Sequence, residues 1–202
     1  MFRFSPKGAL AGGGTVLLWC LISWMVLPWH QFSDLKNELE FSGAVTSSVV
    51  ERGVYIVPNM PGVMDKDSLK SYQERKLRGP TGILFVSPHG ATNFSLSMLL
   101  FLGGTFFIAV LFSCLLNLTS GLNVYQKATF ISFTAMTGGF VALFPFWVWW
   151  QFPTGWTLVQ IIDLGAGWFL GGLAIAKFSG SSMGIGFRLF PLNFRKKQKI
   201  PG

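Results

Sequence analysis

The sequence predicts a mainly α, polytopic membrane protein: four transmembrane helices, with a small extracytoplasmic α+β cap of β-α-β order between the first and the second. Three observations predict it. Half of the 202 residues are apolar, 21 are Phe and only 12% are charged, against roughly 25% charged in ordinary soluble domains. Four stretches, Ala9–Trp29, Leu96–Leu118, Ala128–Trp150 and Thr157–Lys177, reach the ~20 residues that a helix needs to cross a hydrocarbon layer of about 30 Å. The charges, finally, are segregated along the chain.

The first stretch follows Arg3 and Lys7, as in a signal peptide. It is long for a signal-peptide core and runs into Leu27-Pro28-Trp29-His30, where no small-x-small cleavage site is available. Bulky Trp19 before Cys20 speaks against a lipoprotein cysteine, so an uncleaved anchor is expected, and residues 1–29 form a cytoplasmic tail plus helix.

Residues 30–95 form the cap. Thr46–Glu51 suggests a helical turn ending at Gly53. Val54-Tyr55-Ile56-Val57, stopped by Pro58, reads as a strand, and Pro-Asn-Met-Pro-Gly as a turn. Asp65–Leu77 reads as a charged amphipathic helix with acids first and bases last, as a helix dipole favours. Ile83-Leu84-Phe85-Val86 is a second strand. The two strands pair parallel through a crossover or antiparallel through the intervening element; the pattern leaves both open. Such a cap is too small to bury much surface alone and is expected to lean on the helices or a partner.

Residues 96–177 hold the other three helices, and residues 178–202 a basic cytoplasmic tail at the membrane surface. Seven Lys/Arg and seven Asp/Glu fall between His30 and Phe94, so that stretch is neutral. The other nine bases (Arg3, Lys7, Lys127, Lys177, Arg188, Arg195, Lys196, Lys197, Lys199) face one remaining acid, Asp163, and account for the net +8. By the positive-inside rule both termini are cytoplasmic and the cap is outside. The same rule explains the basic balance without nucleic acid: anionic lipid is the expected partner, and Arg188, Arg195, Lys196, Lys197 and Lys199, interleaved with or following Phe and Leu, are its expected contacts.

Gly53-Val54-Tyr55, Pro61-Gly62, Gly79-Pro80-Thr81-Gly82 and Asp163 in the last span, in this order, give the chain a likeness that covers most of its length. It resembles an uncharacterised family of four-helix bacterial inner-membrane proteins with a small periplasmic α/β cap. The resemblance implies the architecture and a bacterial inner-membrane location, and no chemistry. The basic tail after Lys177 departs from it.

The main candidate residue is Asp163, because a carboxylate at bilayer depth costs roughly 3 kcal/mol on insertion scales. Thr157, Gln160, Asp163, Leu164, Gly167, Gly171 and Ala174 share one helix face, so Asp163 is expected to point inward with Gln160 as a candidate hydrogen-bond partner. A buried structural acid is the plain reading; pairing with another subunit's cation and ion transfer are the sharper ones. Transfer is disfavoured because the other three spans carry no titratable acid or base. Gly8, Gly12, Gly103, Gly104, Gly138, Gly139, Gly167 and Gly171 are expected at close helix contacts, within the chain or with other subunits. Trp147, Trp149, Trp150 and Trp156 form an interfacial belt dense enough to dock another membrane protein, a quinone or a pigment.

His30 and His89 both flank the outer surface; with no further ligands at metal spacing they read as interface histidines, and no metal or haem is expected. Cys20 and Cys114 lie at different depths and read as packing residues. No catalytic constellation is found: Ser87-Pro88-His89 places a serine and a histidine near each other only in sequence. The reading is therefore a non-enzymatic accessory, assembly or structural subunit that packs against other integral membrane protein subunits, with an energy-converting complex as its favoured setting. The alternative is a small transporter or lipid-interacting protein built around Asp163.

Overall fold

The computed structural model describes residues 3–119, 121–179 and 183–184. Their elements are β1 (Arg3–Phe4), α1 (Pro6–Met25), α2 (Glu38–Ser48), β2 (Gly53–Val57), α3 (Lys66–Arg78), β3 (Gly82–Val86), α4 (Phe94–Leu116), α5 (Val124–Trp149), α6 (Thr154–Lys177) and β4 (Met183–Gly184). Of these, α1, α4, α5 and α6 are long and apolar enough to cross a membrane.

Capping chemistry sets where three of these four helices begin. Ser5 precedes Pro6, whose fixed φ and missing N–H suit the first helical position, and the Ser5 hydroxyl accepts from the Gly8 N–H at 3.1 Å. The helix therefore starts three residues before the expected Ala9, and it ends at Met25, ahead of Leu27-Pro28, where a residue before proline disfavours helix. At the start of α5, Asn123 and Gln126 cap each other reciprocally, each side chain accepting from the other's backbone N–H at 3.0 Å. Asn93 likewise caps α4 through the Ser95 N–H at 2.8 Å.

The chain groups into two compact units. Of the described residues, the first holds 3–20, 102–119, 121–134, 165–179 and 183–184. Its packing depends on small residues. Gly171 has no room for a side chain, since a Cβ there would lie 2.6 Å from Val16 Cγ2 and 3.3 Å from the Gly12 carbonyl. A Cβ on Gly172 would lie 3.0 Å from Ala128 Cα. Trp19 fills the notch at Gly167, and Phe112 meets Trp168 edge to face at 4.6 Å. Buried Ser5 donates its N–H to Ser113 Oγ at 2.8 Å and its hydroxyl to the Phe178 carbonyl at 2.7 Å, tying the start of α1 to α4 and to the end of α6.

The second unit holds residues 21–101 and 135–164. In it the two cap strands pair antiparallel, Gly53 opposite Val86 and Val57 opposite Gly82, which decides between the two pairings the sequence left open. Neither α2 nor α3 buries a residue, as expected of a cap without enough chain for its own core. The first cap helix runs over 38–48 and not 46–51: Glu38 and Glu40 favour its first turn, and β-branched Val49 and Val50 turn the chain extended before Gly53 is reached. The α3 helix is capped by Asp65, which accepts from the Asp67 N–H at 3.1 Å and the Ser68 N–H at 2.8 Å.

Candidate functional site

The polar cluster lies in the second unit, and α6 supplies two of its members. Asp163 and Gln160, one turn apart, fall on the same face. The last turns of α1 supply Ser23, fully buried, and Trp24. The chain then leaves α1 and turns at Pro28, which carries Trp29 and His30 back against both helices.

The hydrogen bonds have a consistent direction. Ser23 has one hydroxyl proton and donates it to Asp163 Oδ1 at 2.7 Å. Its oxygen then accepts from Trp29 Nε1 at 3.1 Å and from His30 Nε2 at 3.0 Å. That fixes the His30 proton on Nε2, which also stands 3.5 Å from Asp163 Oδ2. The other ring nitrogen, Nδ1, is left to accept from Gln160 Nε2 at 3.3 Å. The imidazole is only 1% exposed and the Asp163 side chain 11%. Trp24 stacks flat on the imidazole, with centroids 4.0 Å apart and 6° between planes, while Trp29 and Trp156 meet it edge-on at 5.9 and 6.2 Å. Beside it a groove of about 740 Å³ runs between Trp29, Phe32, Phe152, Pro153, Trp156 and Val159.

This is not a nucleophilic triad. In such a triad the carboxylate holds Nδ1 and the serine faces Nε2; here serine and carboxylate share Nε2, and the serine is closed off. The arrangement binds the end of α1 to α6 through charge-capable groups in a dry, aromatic-walled site, where hydrogen bonds are stronger than in water.

Asp163 is buried, with Gln160 one turn away on the same helix face, and the fold brings Ser23 and His30 to it. Neither was anticipated. Their pairing spans 140 residues for Ser23 and crosses a helix end, beyond the reach of periodicity; a lone acid in an apolar helix and a histidine just past another helix were the available signal. His89 is exposed. Trp156 turns into the cluster, against Phe32 at 5.1 Å; Trp147 donates to Thr154 Oγ1 at 3.1 Å, Trp150 is half-buried and Trp149 is exposed. The expected aromatic patch is therefore divided between a buried role and a surface one. Cys20 and Cys114 are half-buried and not joined in a disulfide.

The glycines divide too. Gly8, Gly12, Gly139, Gly167 and Gly171 lie at close contacts, Gly139 with Leu164 Cδ1 2.6 Å from where its Cβ would be. Gly103, Gly104 and Gly138 face open space. Arg188, Arg195, Lys196, Lys197 and Lys199 lie outside the described residues.

The fold and the site define a helical chain with four long apolar helices, the end of α1 held by a buried Ser-His-Asp-Gln cluster. Searched against family models, curated proteins and solved structures, the chain matches none.

Proposed function

We propose that the chain is a non-catalytic accessory subunit of a larger membrane complex, an energy-converting one, in a bacterial inner membrane. Both termini lie in the cytoplasm and the cap lies outside. The observation that supports this reading is the open glycine at Gly103-Gly104 on α4 and Gly138 on α5. Glycine in a helix interior costs roughly 0.5–1 kcal/mol relative to alanine, and at these three positions no atom of the described residues lies within 4 Å of where a Cβ would stand. In lipid, helices associate through close backbone approach at small residues, so glycines without an internal neighbour suit a neighbouring subunit. The same reading suits α5, the least covered of the four long helices, and the cap, whose Leu39 and Leu77 stand almost fully exposed.

Gly104→Leu and Gly138→Leu test it. Each is expected to leave the melting temperature of the purified chain no lower than that of the wild type and to shrink the particle extracted from native membranes in mild detergent. A wild-type particle no larger than a small homo-oligomer would overturn the reading.

A second reading has its own observation. His30 gives Asp163 a titratable neighbour inside the chain, which favours proton or ion handling over pairing with another subunit's cation. Asp163→Asn separates the two: lost flux with intact assembly supports transport, and lost assembly supports the subunit reading.

A further inference from the structure

We infer that Ser23, His30, Gln160 and Asp163 form a proton-binding site, in which His30 takes up a proton without leaving any polar group of the cluster unsatisfied. The inference goes beyond the proposed subunit role and stands without it.

The two ends of the imidazole face different partners. In the arrangement described, Nε2 faces Ser23 and Asp163, and Nδ1 faces the Gln160 amide nitrogen. Protonation puts a second N–H on Nδ1, pointing at Gln160. A fixed donor there would oppose it. A glutamine amide is not fixed, because a half-turn about its last bond exchanges nitrogen for oxygen in the same place, giving Nδ1–H an acceptor. Gln160 therefore serves both states, as a lysine or a leucine could not.

Two further groups face the imidazole. Asp163 Oδ2 is 3.5 Å from Nε2, close enough for an opposite charge to hold the imidazolium. The face of Trp24 lies parallel to the ring at 4.0 Å, where an aromatic face attracts a cation. From α1 the ring meets Ser23 and Trp24, from the segment after α1 Trp29, and from α6 Trp156, Gln160 and Asp163. Among these Asp163 is the ionisable group. Its side chain is 11% exposed, which gives the proton a way in that the closed imidazole lacks. Uptake converts the contact between His30, in the segment after α1, and Asp163 on α6 into an ion pair, so the same proton tightens the joint between that segment and α6.

The test uses the full chain in lipid nanodiscs with ¹⁵N-labelled histidine, His89→Gln removing the second signal. Between pH 8 and 5, the range in which imidazoles change charge, the His30 nitrogens should pass from an Nε2–H tautomer to imidazolium. Gln160→Glu keeps the shape and adds a negative charge; proton affinity should rise about tenfold. Asp163→Asn keeps the shape and removes one; affinity should fall about tenfold. Movement in opposite directions separates the site from general loosening, which would move both variants alike. A His30 signal that stays in one state from pH 8 to 5, or variants that shift it the same way, would overturn the inference.

Discussion

Ser23 shows how much of the site depends on a single hydroxyl. It is fully buried, donates to Asp163 and accepts from Trp29 and His30. Ser23→Ala removes the donor from a carboxylate oxygen with little access to water, and a buried group that loses its partner costs about 1–3 kcal/mol. The expected outcome is a loss of that size in denaturant unfolding of the detergent-solubilised chain. Ser47→Ala, whose hydroxyl bonds the Ala44 carbonyl on an exposed helix, should stay within about 0.5 kcal/mol. Equal losses would mean that the Ser23–Asp163 bond contributes nothing. Of this site, Asp163 and Gln160 could be read from the sequence because both lie on one helix at a spacing of three. His30 could not, since its approach depends on how the chain turns at Pro28, a property of tertiary structure.

Among the helices, glycine has two roles, and the two respond to substitution in opposite senses. At Gly172 an added methyl meets Ala128 Cα at 3.0 Å and Ile131 Cβ at 3.3 Å; backbone does not give way as a flexible side chain would, so Gly172→Ala should cost about 1–3 kcal/mol by overpacking. At Gly138 there is open space, and Gly138→Ala should stabilise the isolated chain by about 0.5–1 kcal/mol through helix propensity. Thermal unfolding of the two variants side by side checks both signs. The spacing of small residues showed that glycines cluster in every span, but not which of them face a neighbour.

The cap helix α3 makes a pH prediction. Hydrogen bonds from the backbone and then the hydroxyl of Ser68 hold the Asp65 carboxyl below its ordinary value of 3.8, with the Asp67 N–H adding to them and desolvation opposing. A carboxyl with a lowered value in the folded state stabilises fully above 3.8, and that contribution is lost as pH falls through the still lower folded value. Amide protection at the start of α3 should therefore drop on acidification below about pH 3.8. In Asp65→Asn, which caps without a charge, that drop should be absent. Helix α3 was readable from its acids and bases, and both strands from their β-branched runs. The true starts of α1 and α5 were missed, because Ser5-Pro6 and Asn123–Gln126 are capping signals that a hydropathy reading passes over.

For the molecule as a whole, composition and run length were enough to foresee four long apolar helices and a small two-stranded sheet between the first and second of them, and the structure has them. Strand direction in the cap was not foreseeable, since two short strands and a helix are compatible with either pairing. The functional account rests on a step of a different kind: that these helices span a bilayer with the neutral stretch on one side and the basic loops on the other. Single cysteines at Lys70, in α3, and at Lys127, in the first turn of α5, test this most directly when intact cells are treated with a membrane-impermeant thiol reagent. The account predicts that position 70 reacts from outside and position 127 reacts only after the membrane is opened. Labelling of 127 and not of 70 in intact cells would contradict it.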